Sequence, residues 1–236
     1  MPKPVCLVTG VGPEGGTGAE TAKRFTEGGY RVAMLARNTD NLGALATKYD
    51  DAQAYPCDMG DLDAIVETLA RVKAEMGAPR VVVHNALRST RGGILEVDPD
   101  DLEKNFRVNT TALLYLARET IPDMLEAGEG AILVTGNTSA TRGKAQFGFF
   151  ASTKAAQRIL AESMAREFGP QGIHVAYFVI DAVINTPRTR ELFAPGKPED
   201  YFAKASAIAQ ELFRVAHQDR STWSFLVELR PFGEVW

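Results

Sequence analysis

The chain has few of the residues that anchor metal-bound or disulfide-stapled folds. Cysteine occurs only as Cys6 and Cys57, and histidine only as His84, His174 and His217. Two cysteines exclude a disulfide framework and a cysteine-rich zinc site. No histidine has a second His or Cys at metal-ligand spacing. Cys6 and Cys57 read as small buried residues in a reducing compartment, which makes the expected location cytoplasmic. Long apolar runs are missing too, and none reaches the roughly 18 residues of a membrane span. Met1-Pro2-Lys3-Pro4 leads straight into an apolar strand pattern, without the features of a secretory signal. Basic excess is absent: 26 Lys and Arg stand against 30 Asp and Glu, for a net charge of −4. Neither a membrane nor a nucleic-acid partner is therefore expected.

What is present is an alternation of short apolar runs with longer amphipathic stretches. Strands are expected at Val5–Thr9, Tyr30–Ala36, Ala52–Pro56, Val81–His84, Gly130–Thr135, His174–Ile180 and Ser224–Leu229. Helices are expected at Thr17–Glu27, Asn41–Tyr49, Leu62–Met76, Gly148–Phe168 and Asp200–Ala216, with one or two more between Asp100 and Glu126. Pro187–Pro198, with three prolines, reads as a loop. This order implies an α/β fold in one domain over residues 1–236: a doubly wound parallel β-sheet of about seven strands with helices on both faces. Ligands of such sheets bind beyond the carboxyl ends of the strands.

The first strand ends in Thr9-Gly10-Val11-Gly12-Pro13-Glu14-Gly15-Gly16-Thr17-Gly18, and a helix follows. Glycines let a phosphate approach the backbone, and a helix N-terminus offers free N–H groups. Gly10, Gly12 and Gly15 fit G-x-G-x-x-G in the strand–loop–helix setting that gives this motif its meaning. No G-x-x-x-x-G-K-[ST] occurs, which speaks against a nucleoside-triphosphate loop. After strand 2, Ala36 offers no carboxylate to a ribose and Arg37 offers a bidentate donor. That pattern favours NADP, with NAD possible. Arg37 also reads as a solvated surface charge.

These motifs together make the chain resemble a short-chain dehydrogenase/reductase, a Rossmann-like family, over nearly its full length. That family's loop is T-G-x-x-x-G-x-G. Here Thr9-Gly10 is followed by five residues before Gly16-Thr17-Gly18, two more than the pattern. The resemblance implies that Gly10, Gly12, Gly16 and Gly18 hold a dinucleotide, and Glu14 argues mildly against NADP, since members preferring NADP often carry a basic residue there. It implies an adenine contact for Asp58, which can equally cap the next helix. His84-Asn85-Ala86-Leu87 stands where the family has N-N-A-G, so Asn85 is expected to brace the central loop and His84 to be structural. Ile184 and Thr186 resemble the nicotinamide-carboxamide contact, although Thr186 also suits a helix N-cap before Pro187.

The family's catalytic set is Asn, Ser, Tyr and Lys. Asn109 matches the first, where the resemblance implies a residue that holds a helix backbone and a proton-relay water. Lys154 matches the last and is implied to grip the ribose hydroxyls. Phe150 stands one helical turn before Lys154, where the family carries its tyrosine, and a phenyl ring has no exchangeable proton. The family's spacing places the serine position at Asn137, with Thr138 and Ser139 as alternatives. Three substitutes for the missing acid are open: Asp181 after strand 6, Tyr201, and a water bridged by Asn109 and Lys154. The implied function is hydride transfer between NAD(P) and a small carbonyl or alcohol substrate, with residues 186–200 shaping its pocket. A catalytically silent dinucleotide-binding protein is the alternative, and a lyase or isomerase on the same scaffold is a third. The long helix Gly148–Phe168 is apolar on more than one face, and the family pairs through it, so a homo-oligomer (dimer or tetramer) is expected. The aromatic tail Leu229–Trp236 suits packing on a neighbour or on its own core.

Overall fold

The computed structural model describes residues 2–233. The first half of the chain runs β1 (Val5–Thr9), α1 (Thr17–Glu27), β2 (Arg31–Ala36), α2 (Thr39–Lys48), β3 (Ala52–Pro56), α3 (Leu62–Met76) and β4 (Pro79–His84). Then come α4 (Asp100–Phe106), a π-helical turn at Arg107–Thr111, and α5 (Ala112–Ala127). β5 (Gly130–Gly136), a 3₁₀ turn at Thr138–Ala140, α6 (Gly148–Phe168) and β6 (Ile173–Ile180) follow. The remainder holds β7 (Val183–Ile184), α7 (Pro187–Phe193), β8 (Phe202–Ala203), α8 (Ala205–Ala216) and β9 (Leu226–Leu229).

Seven strands form one parallel sheet in the order β3-β2-β1-β4-β5-β6-β9. The order reverses between β1 and β4, which opens a crevice beyond their carboxyl ends. The central strands β1 and β6 are buried along their whole length, as strands covered on both faces must be. One core layer packs α3, α5 and α6 on one face, around Leu69, Leu116 and Met164. The other packs α1 and α8 on the opposite face, around Phe25, Ile208 and Leu212. Cys6 and Cys57 are both buried and free. No helix among the described residues is long and apolar enough to cross a membrane.

The segment after β6 departs from expectation. Pro187–Pro198 was expected as a loop, yet Pro187–Phe193 is helical. Proline suits the first helical position, where its missing N–H is not needed. Thr186 caps the helix and exchanges hydrogen bonds with Thr189 in a capping box. The helix expected from Asp200 begins instead at Ala205, because Phe202–Ala203 pairs with Val183–Ile184 in a two-stranded sheet. The last three residues of the tail, 234–236, lie outside the described residues.

Candidate dinucleotide site

A groove of about 1210 Å³ runs along the carboxyl ends of β1, β2, β3 and β4. Gly10, Gly12, Gly16 and Gly18 line its centre, Arg37 and Asp58 one end, and Ile184 and Thr186 the other. Asn85 stands at its floor.

The glycine loop is built by close backbone approach. Gly10 has φ +68°, and a Cβ there would stand 2.5 Å from the Ala86 Cα. A Cβ on Gly18 would meet the Gly10 carbonyl oxygen at 2.6 Å. The two extra residues are absorbed in a turn closed by the Gly16 N–H on the Pro13 carbonyl (3.0 Å), with Gly15 at φ +79°. Gly16 is the N-cap of α1 and offers no side-chain acceptor, so the first N–H groups of the helix keep their donors for a ligand. The buried Thr17 hydroxyl beside them has no hydrogen-bond partner among the described residues. An orphaned hydroxyl next to an uncapped helix end fits a diphosphate.

Asn85 braces this loop: its Nδ2 donates to the Gly10 carbonyl (3.0 Å), and its Oδ1 accepts from the Thr135 hydroxyl (3.0 Å). Arg37 is exposed at the groove and makes no ion pair among the described residues. Glu14, the acidic residue of the loop, pairs with Lys48. Asp61, not Asp58, caps α3 by accepting from the Ala64 N–H. Asp58 accepts from the Gly60 N–H (2.9 Å) and stays exposed in the groove. Thr186 does both things its position allowed, capping α7 and lining the groove.

The residues implied for catalysis sit elsewhere. Asn109, on the π-helical turn, is buried and spends its side chain on the backbone of Arg88 (2.9 Å to both N and O) and on the Thr153 hydroxyl (2.8 Å). Asn137 caps the 3₁₀ turn by accepting from the Ser139 N–H (3.0 Å). Asn137 and Ser139 are half-buried, and that turn packs on α6. Phe150 is buried on α6. Asp181 is half-buried, and its N–H donates to the Leu229 carbonyl (2.8 Å). Tyr201 packs edge-on against Phe202. None of these residues lines the groove.

Lys154 is the largest departure from the implied arrangement. Its side chain is 1% exposed and turned into the fold, where Nζ donates to the Thr135 carbonyl (3.0 Å) and to the Gln157 side-chain oxygen. It does not line the groove. Burial lowers its pKa from the usual lysine value to about 7. The cost falls on the charged form, so the sign is fixed. Between the folded value near 7 and the unfolded value of 10.5 the unfolded chain binds more protons, and stability rises with pH. Lys154→Met should therefore improve thermal stability relative to the native chain more at pH 7 than at pH 10, by a difference on the order of a few kcal/mol. Equal melting shifts at the two pH values would show that this amine is not desolvated.

His84 beside it is fully buried. The Thr9 hydroxyl accepts from the N–H groups of Asn85 and Ala86, so its own proton goes to His84 Nδ1 (3.1 Å). His84 Nε2–H then donates to the Asn109 carbonyl (3.3 Å). Burial, with the nearby Lys154 charge, lowers the imidazole pKa to about 3, and the ring is a neutral strut.

Several groove residues were not singled out by the motifs. Arg88, Lys104, Arg107 and Arg188 all line it, although the chain as a whole is acidic. Lys104 and Arg107 stand three residues apart on one helical stretch, and Arg88 and Arg188 come from two other segments. Gln157 did leave a signal, since it lies three residues after Lys154 on the same helical face.

Sheet order, glycine loop and groove together define a doubly wound dinucleotide-binding protein. Residues 4–196 match the short chain dehydrogenase family. The chain is 31% identical over 176 residues to an uncharacterized short-chain type dehydrogenase/reductase of Sinorhizobium fredii, covering 72% of this chain and 70% of that one. An uncharacterized oxidoreductase of Mycobacterium tuberculosis is 30% identical over 173 residues, a match spanning 69% of this chain and 50% of the relative. A short-chain dehydrogenase from Rhodopseudomonas palustris superposes with TM-score 0.82 at 28% identity, covering 98% of this chain and all (100%) of the other. A metagenomic short-chain oxidoreductase solved in complex with NADP shares the fold, with TM-score 0.84 at 24% identity and 98% coverage of both chains. The chain belongs to the short-chain dehydrogenase family, a class of NAD(P)-dependent oxidoreductases.

Proposed function

We propose that the chain binds NADP(H) in this groove and transfers hydride to or from a small carbonyl or alcohol substrate without the usual tyrosine acid. The observation that carries the reading is one continuous groove from Arg37, past the uncapped start of α1, to Ile184 and Thr186. Arg37 would take the 2′-phosphate by paired N–H donors. The pairing of Glu14 with Lys48 supports that choice, because it offsets the loop carboxylate, which would otherwise repel a phosphate. Gly12, Gly16 and the Thr17 hydroxyl would hold the diphosphate, Asp58 the adenine end, and Ile184 and Thr186 the carboxamide. When bound, the nicotinamide ring supplies or accepts the hydride. Asn137 and Ser139 would polarise a carbonyl oxygen, with Asn109 setting the backbone around them.

The segment 186–200 would shape the substrate side. Asn185, just before it, ties it together, donating to Glu199 (2.6 Å) and accepting from Arg190 Nε (2.6 Å). Leu192 and Phe193 on it are left exposed. Exposed Ile159 on α6 and Leu114 on α5 support assembly into a homo-oligomer, which light scattering at micromolar concentration would test.

The deciding experiment is titration with NADPH and NADH by fluorescence. NADPH should bind more tightly, and Arg37→Ala should remove most of that preference, weakening NADPH by roughly tenfold or more while sparing NADH. Failure of both nucleotides to bind at millimolar excess would end the reading. A second reading, a catalytically silent NADP(H)-binding protein, is favoured by buried Phe150 and inward Lys154. No turnover across a broad carbonyl panel, with NADPH binding intact, would select it.

A further inference from the structure

Between the Lys154 amine and the Asn109 carbonyl stands one side chain. The Gln157 Oε1 accepts from Lys154 Nζ, and the Gln157 Nε2 donates to the Asn109 carbonyl oxygen. Gln157 is fully buried on α6. Its Oε1 also lies 3.4 Å from the Tyr177 hydroxyl of β6. Thr135 at the end of β5 supplies the amine's second acceptor. The groups around the amine are thus the carbonyl of Thr135, the carboxamide of Gln157, the Tyr177 hydroxyl and the neutral imidazole of His84. No carboxylate hydrogen-bonds to it among the described residues.

We propose that Gln157 is a positioning residue that holds the Lys154 amine inside the fold, away from the groove, and bridges that amine to the Asn109 carbonyl through its carboxamide. Two consequences follow from the chemistry of an amide. A carboxamide neither gives up nor takes a proton near neutral pH, so this bridge carries no proton. A lysine held by two internal acceptors must also lose both before it reaches a ribose in the groove. The chain therefore binds its nucleotide through the glycine loop and Arg37, with the ammonium held back.

The part of this that concerns nucleotide rests on the proposed function, and the part that concerns the amine does not. Lysine side-chain NMR on the full unliganded chain tests the amine directly. Gln157→Glu puts a carboxylate where the Oε1 stands, and the titration midpoint of Lys154 should rise by more than about one pH unit. An unmoved midpoint overturns the proposal. In the native chain the Gln157 side-chain N–H should exchange slowly with solvent, and this reading needs no variant; rapid exchange overturns the proposal as well. Gln157→Leu removes the acceptor, and with the fold intact by circular dichroism NADPH should bind roughly tenfold more tightly as the amine becomes free to swing outward. Unchanged or weaker binding by that variant counts against the holding role. If the native chain binds no NADPH, the proposed function fails while the NMR arms still decide the place of the amine.

Discussion

Phe150→Tyr combined with Gln157→Leu should raise the rate of NADPH-dependent carbonyl reduction by roughly 10²–10⁴-fold, the usual worth of a positioned general acid. The measurement is NADPH oxidation against a carbonyl panel. Phe150→Tyr alone should give about tenfold or less. A phenol needs a nearby cation to lower its pKa toward working pH, and the ammonium that would do so is bonded to Thr135 and Gln157. The two substitutions are one helical turn apart from Lys154 on either side and share its inward face, so their effects should exceed the product of the single effects. Full recovery in Phe150→Tyr alone would mean that the lysine reaches the groove without help. No gain in the double variant would favour the silent-binder reading, with the defect lying beyond the acid.

Gly18→Val should abolish nucleotide binding while a neighbouring change leaves the fold untouched. A Cβ at Gly18 would stand 2.6 Å from the Gly10 carbonyl oxygen and 2.9 Å from the Val11 Cα, and both are backbone atoms that cannot rotate away. The loop must shift, at a cost of about 1–3 kcal/mol in stability. Displaced N–H groups would also lose two or more charge-assisted bonds to phosphate, so NADPH affinity should fall by about 100-fold or more. Gly12→Ala meets nothing within 4 Å and should keep stability within about 0.5 kcal/mol. Calorimetry of unfolding and of NADPH binding separates the two effects. Retained affinity in Gly18→Val would remove the glycine loop from the binding site.

How far the sequence reached depends on whether its signals were local. The bounds of α1, α3 and α6 follow from apolar periodicity alone, and the structure places them at the same residues. The stretch Pro187–Phe193 was misread because three prolines over Pro187–Pro198 look like a loop. Proline breaks a helix only in its interior, and Thr186 with Thr189 makes Pro187 a first residue. The strands β7 and β8 are two residues each and pair across nearly twenty positions, too short for any pattern to register. In the groove, Gly10, Gly16 and Gly18 were legible because loop and helix start are consecutive in the chain. Arg88, the Lys104 and Arg107 pair, and Arg188 were not, since folding gathers them from three separate segments.

By itself the sequence determined the alternation of strand and helix, the glycine-rich loop before the first helix, and the phenylalanine at position 150, since each is written in neighbouring residues. Only the tertiary structure decided where the Lys154 amine goes. Its acceptors come from β5 and from the next turn of α6, and Asn109 arrives from the helix packed against them. A long flexible side chain has many rotamers of similar energy, and which one wins is set by the partners that folding brings within reach.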